Sequence, residues 1–137
     1  MENKFIHKAA GIIIRDQKLL VERSKGKEFF VSPGGKLENG ETPKQALVRE
    51  LMEEFSIKTK EEDFQEFGTF EAAAAGRENT KVKMDVFIVK SWGGEPTPNM
   101  EVEEIRWIES ANPEGLKLGS IFEHDVIPKL KEKGLIK

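Results

Sequence analysis

The sequence predicts an α/β fold with a mixed sheet, and three observations carry that prediction. A sharply bounded helix begins at Pro43, with β-branched or alternating runs before and after it. The stretch Lys81 to Trp92 alternates and then turns continuously apolar, the pattern of an interior strand. A further helical pattern opens at Ser120 and closes the chain. With 137 residues, 37% hydrophobic and 34% charged, the chain reads as one globular domain over residues 1–137. Zero cysteines exclude disulfides, thiolate metal sites and cysteine nucleophiles. Net charge −3 offers no case for binding a nucleic-acid polymer. A small phosphate ligand remains compatible, because a bound cation reverses the local sign. No leader or membrane-length apolar run stands in the sequence, so cytoplasmic residence without a membrane partner is expected, as a monomer or homodimer.

Taken in order, Phe5 to Arg15 and Lys18 to Arg23 are apolar runs on either side of Asp16-Gln17 and read as a hairpin. Arg23, just past the second run, is a candidate phosphate contact. Phe29-Phe30-Val31 reads as a brief strand that leads into Pro33-Gly34-Gly35. Glycine there permits close backbone approach, so a carbonyl at Gly34 or Gly35 is a candidate metal ligand. Lys36 is a second candidate phosphate contact. A base-sized slot needs a ring and a few polar groups, and Phe29, or His7 and Phe5 on the first strand, are candidates to line it.

The helix announces itself by its cap. Thr42 precedes Pro43, and Gln45 follows three residues after the threonine, a capping box with a pre-set first turn. At about 100° per residue, Leu47, Val48, Leu51, Met52 and Phe55 fall on one side, and Glu50, Glu53 and Glu54 on the other. Like charges at such spacings repel by roughly 0.3 kcal/mol per pair on a bare helix. From Glu41 to Glu54 four acids meet only Lys44 and Arg49, leaving a local charge of −2. A divalent cation would relieve that repulsion; Mg²⁺, or Mn²⁺ in its place, takes hard oxygen ligands together with water and substrate phosphate. Arg49 is read as bracing Glu41 across the turn in a structural ion pair.

After the helix, Lys58 to Asp63 is a charged connector, and Phe64 to Glu71 is an alternating strand interrupted at Gly68. Ala72 to Ala75 reads as its end and Gly76 to Thr80 as a turn. Gly93 to Pro98 is a loop, and Glu101 to Glu109 a further strand carrying Trp107. Trp92 and Trp107 read as core or rim residues. In the last helix Ser120 and Glu123 open the pattern, Pro128 kinks it and Gly134 ends it.

The spacing Gly35, five residues, Glu41, seven residues, Arg49-Glu50-Leu51-x-Glu53-Glu54-x-x-Ile57 resembles the signature of the Nudix hydrolases. One position departs: Ser56 stands where the family has glycine. The resemblance implies an α/β/α sandwich, with the carboxylate helix on one side of a mixed sheet and the terminal helix on the other. It also implies a metal-dependent attack of water on a phosphoanhydride. Divalent ions neutralise and orient a phosphate chain that would otherwise repel the nucleophile. Glu50 and Glu54, one turn apart, are the first choices as metal ligands, with Glu53 joining them or holding the water. Glu101, at the head of a late acidic strand ending in tryptophan, is a candidate to complete the shell. Glu103 and Glu104 are lesser ones. Within the family, enzymes of dinucleoside polyphosphates tend to carry a downstream tyrosine, and this chain has none. ADP-ribose hydrolases tend to have a proline where this chain has Ala72 to Ala75. Coenzyme A pyrophosphatases have a longer upstream motif, of which Leu19-Leu20-Val21-Glu22-Arg23 is a partial echo. The isomerases of the fold need a cysteine. The MutT-like group remains, so hydrolysis of a nucleoside di- or triphosphate to a monophosphate is expected. A non-catalytic nucleotide sensor is the alternative, and the intact acid set argues against it; an RNA-processing hydrolase would want a basic groove.

Overall fold

The structure, a computed structural model, describes residues 4–73 and 79–137. Among the described residues, seven strands form two small sheets. Strands β1 (Lys4–Ile12), β4 (Gly34–Lys36), β5 (Phe64–Ala73) and β6 (Thr80–Val89) make one in the order β4-β1-β6-β5. Strands β2 (Ile14–Arg15), β3 (Lys18–Ser24) and β7 (Val102–Ile108) make the other in the order β2-β3-β7. The β1–β6 pair is parallel and the remaining pairs are antiparallel, so the fold is α/β with a mixed sheet.

Helix α1 (Pro43–Phe55) packs on one face of the strands, where Ala9, Ile13, Leu20 and Phe87 meet Leu47, Leu51 and Phe55. The closing helix packs on the other, where Ala10, Leu19, Val21, Met84 and Val86 meet Phe122, Val126 and Leu130. Alternation along each strand assigns its residues to these two cores, as a period of two requires. The apolar stripe of α1 is narrower than expected. Leu47, Leu51 and Phe55 are fully buried, Ala46 joins them, and Met52 is 42% exposed.

The capping box forms: the Gln45 N–H donates to Thr42 Oγ1 at 3.2 Å and the Thr42 N–H to Gln45 Oε1 at 3.0 Å. At the other end Ser56 adopts the left-handed conformation (φ 57°) in which the family prefers glycine. Neighbours hold it there. The Ile57 N–H reaches Leu51 O at 3.3 Å, the Asn99 amide donates to Ser56 Oγ, and the backbone of Thr97 and Asn99 covers the carbonyls of Phe55 and Glu54.

Several expectations need correction. The first hairpin is real only near its turn, where β2 pairs with β3 across Asp16 and Gln17, both at positive φ. The rest of that first run leaves at Ile13 to become β1 of the other sheet. Phe29 to Val31 is no strand: Phe30 and Val31 make single bridges to Leu118 and Glu22. Regular pairing begins instead at Gly34, because a residue without Cβ lets the chain lie against β1. The interruption expected at Gly68 is present, as a bulge within β5. Of the stretch Ala72 to Thr80, Ala72 and Ala73 belong to β5 and Thr80 opens β6. The expectations for Ala74, Ala75 and the turn from Gly76 lie outside the described residues. Pro128 is accommodated by a π-helical turn (Phe122–Val126) ahead of α2 (Ile127–Glu132), and Ser120 sits within the first turn.

Candidate active site

Three elements meet beside Gly35. Strand β4 brings the glycine backbone, α1 brings its acids, and β3 brings Glu22, which shares a face with Leu20 and so points to the α1 side. Glu50 lies directly on the glycine: a Cβ at Gly35 would sit 2.6 Å from Glu50 Oε1. Arg49 organises the approach. Its Nε and Nη2 grip the two Glu41 oxygens at 2.8 and 2.9 Å, Nη1 donates to Glu50 at 2.9 Å, and Nη2 also reaches the Lys36 carbonyl at 3.2 Å. A guanidinium fork suits that bidentate role. Glu41 further accepts the Glu38 N–H at 2.7 Å. Arg49 and that N–H hold its carboxyl down to about 2. The ion pair therefore ties the glycine turn to the helix.

The three helix acids do not act alike. Glu53 turns outward, its side chain 49% exposed, with Arg49 at 3.4 Å. Glu50 and Glu54 turn inward, where they meet Glu22. That residue is 4% exposed, and its Oε2 is buried without a hydrogen-bond partner. Burial first, then the Glu50 charge, push the Glu22 carboxyl up to about 7, with Lys8 opposing. Burial, Glu50 and Glu22 push Glu54 up to about 8. Among the described residues no three such side chains are closed into a ready coordination shell. The donor set nevertheless fits a hard divalent cation: an orphaned carboxylate oxygen, inward acids at mutual expense, and a glycine cradle that any Cβ would fill.

Glu22 and Glu54 border a cavity of about 630 Å³ whose walls also include Lys8, Lys27, Phe29, Ser32, Gly34 and Gly35. Ser32 is 3% exposed and its Oγ lacks a hydrogen-bond partner. An adjoining cleft carries Lys8, Lys27 and Lys36 beside Ile6, Val82 and Met84. Acid pole and lysine-lined trough are thus contiguous.

The other expected site residues fall elsewhere. Arg23 donates to Glu104 at 3.0 Å, to Glu103 at 3.1 Å and to the Lys27 carbonyl, so its guanidinium braces the following loop. Glu101 is exposed on the turn that opens β7, its carbonyl accepting the Lys25 N–H at 2.8 Å, and it does not line the cavity. His7 pairs with Asp85 at 2.5 Å, and Thr69 donates to the same carboxylate at 2.6 Å. That cluster borders a separate hollow at the start of α1, lined by Thr42, Lys44 and Asp85, which lacks the Glu50–Glu54 pair. Phe5 is 58% exposed, and Trp107 lies under Arg15 at 4.3 Å. Glu22 and Ser32 were not anticipated. The available signal for Glu22 was an acid two residues past Leu20, directly after the apolar run Leu19-Leu20-Val21.

The raised carboxylates make stability depend on pH. Both hold protons more tightly folded than at the ordinary value of 4.5, so the stability they contribute is full below 4.5 and is lost as pH climbs through about 7 and about 8. Glu41 acts oppositely, its contribution being lost only as pH falls toward about 2. The metal-free protein is expected to melt lower at about pH 8.5 than at about pH 5.5, and added Mg²⁺ to narrow the gap. A melting temperature that rises across that window would contradict the burial of Glu22 and Glu54.

Known proteins resemble this chain in sequence and in fold. The NUDIX domain family model matches residues 5–130. An 8-oxo-dGTP diphosphatase of Haemophilus influenzae is 39% identical over 115 residues, covering 80% of this chain and 79% of that protein. An ADP-ribose pyrophosphatase of Methanocaldococcus jannaschii is 30% identical over 131 residues, covering 91% of this chain and 73% of its own. A solved MutT structure, from a study of Aliivibrio salmonicida and Vibrio cholerae, superposes with TM-score 0.72 at 27% identity, covering 94% of this chain and 99% of its own.

Proposed function

The chain belongs to the NUDIX domain family and is a pyrophosphohydrolase, and from that premise we propose that it hydrolyses a nucleoside di- or triphosphate to the monophosphate in a reaction dependent on Mg²⁺ or Mn²⁺. The observation that carries this reading is the position of Glu54, with Glu22, at the wall of a cavity that also holds Lys8 and Lys27 and is large enough for a nucleotide. The 8-oxo-dGTP diphosphatase relative supports an oxidised purine triphosphate as the first substrate to try. No helix among the described residues is long and apolar enough to cross a membrane, and cytoplasmic residence is part of the proposal.

Glu50, Glu54 and the Gly35 carbonyl are the proposed ion ligands, and the ion would neutralise and orient the phosphates. Glu53, the outward acid, is proposed to orient the attacking water and accept its proton. The water oxygen bonds to phosphorus and the bridging P–O bond breaks with its electron pair staying on the departing fragment, so that a diphosphate yields monophosphate and phosphate and a triphosphate yields monophosphate and pyrophosphate. Lys8, Lys27 and Lys36 offer cations to the phosphates, and Phe29, 51% exposed at the cavity wall, offers a face for the base. Glu101 stays a candidate by position alone, next to Val102, which pairs with the cavity-lining Ser24.

A substrate panel with either ion, products identified by mass, tests this. Expected is a nucleoside monophosphate from 8-oxo-dGTP or a normal triphosphate, with ADP-ribose turned over at least about tenfold less efficiently, a gap of about 1.4 kcal/mol. The reverse order would move the assignment to the ADP-ribose class. No turnover of any phosphoanhydride would favour a nucleotide sensor.

A further inference from the structure

We propose that Glu22 of β3, which lies outside the signature helix, is a further ligand of the divalent-cation site. This rests on reading Glu50 and Glu54 as ligands of that ion.

The argument begins with the strand. Glu22 is held by a reciprocal pair of backbone bonds, its N–H reaching Val31 O at 2.7 Å and the Val31 N–H returning to Glu22 O at 2.9 Å, while on the other side Ile105 of β7 stands opposite in register. The direction of its side chain is therefore set by the strand, on the face that carries Leu20 into the α1 core. Leu20 touches the body of the helix; two residues on, Glu22 arrives where the helix presents acids.

A glutamate buried for structural reasons would be expected to meet a base or several hydrogen-bond donors, since an uncompensated buried charge is costly. Glu22 instead leaves Oε2 buried with no hydrogen-bond partner. Its strongest charged neighbour is another acid, Glu50, and it adds to the repulsion felt by Glu54. Lys8 opposes this, more weakly than burial and Glu50 together. Glu22 thus has an orphaned carboxylate oxygen, feels the charge of two further acids and stands at the wall of the same cavity as Glu54 and Gly35, which is the chemistry of a hard-cation ligand. A ligand from β3 would add a third rigid element to the α1 acids and the β4 glycine carbonyl proposed to hold the ion.

The test is Mn²⁺ binding by the whole purified chain, followed by calorimetry and by the rise in melting temperature on adding the ion. Glu22→Gln keeps the shape and removes the charge. Expected are a higher melting temperature without metal, a Mn²⁺ affinity lower by about tenfold or more, and a smaller metal-induced rise. Glu22→Asp, which keeps the charge, should retain more affinity than Gln. Equal losses in the two variants would assign the effect to packing and overturn the ligand role, as would a Glu22→Gln protein that binds Mn²⁺ like the parent. Glu54→Gln is run beside them. If it too binds Mn²⁺ unchanged, the reading of the α1 acids has failed; if it alone loses the ion, only the role of Glu22 has.

Discussion

Glu54→Gln is expected to lower kcat by about 10³-fold, some 4 kcal/mol of transition-state stabilisation, while the metal-free protein melts no lower than the parent because the isosteric side chain keeps the packing. Glu54 is pushed up to about 8 by burial and by the charges of Glu50, Glu22 and Glu53, so its ionised form is unfavourable in the fold without an ion. A neutral isostere removes that strain and the ligand together. Stability and activity should therefore move in opposite directions, the signature of a group retained for chemistry. Measuring kcat under saturating Mg²⁺ and substrate alongside melting in chelator separates the two. Equal activity in both proteins would defeat the placement of the site, and a large loss of melting temperature would show that Glu54 serves the fold instead.

Alanine at the two adjacent glycines should give two different failures. At Gly34, φ is +150° and a Cβ would stand 2.0 Å from the Ala9 carbonyl oxygen, a backbone atom of the neighbouring strand. Nothing flexible can move aside, so Gly34→Ala is expected to drop Tm by more than about 10 °C or to prevent folding. At Gly35 the backbone conformation is open to alanine, and the nearest atoms are the Glu50 carboxylate, 2.6 Å from the added Cβ. That side chain can swing away. Gly35→Ala should fold, hold most of its Tm, and lose about 10²-fold in kcat/KM because a ligand is misplaced by an ångström or so. Circular dichroism melts with steady-state kinetics on both variants check this. A Gly35→Ala enzyme of parental activity would mean that Glu50 has no fixed catalytic position.

Much of the site's frame could be read from residue types in order. The cap at Thr42, the apolar positions Leu47, Leu51 and Phe55, and the Glu41–Arg49 pair are local matters, decided by spacing within some fifteen residues. The strand β6 was legible for the same reason, since a continuous apolar run has few other places to go. Errors arose where pairing decided the outcome. Phe29 to Val31 has strand-forming residues but finds only single bridges, and Gly34 to Lys36, with poor strand propensity, pairs because β1 lies beside it.

The order of residues by itself determined the fold class, the helix and its acids, and the family, because each depends on periodicity or on a gap-free spacing. Only the tertiary structure decided that Glu53 faces out while Glu50 and Glu54 face in, that Arg23 is engaged by Glu103 and Glu104, and that Glu22 joins the acids of a helix more than twenty residues further along the chain. The reason is physical: a side chain's charge state and partners depend on what surrounds it in space, and strand β3 reaches α1 only once the sheets have assembled.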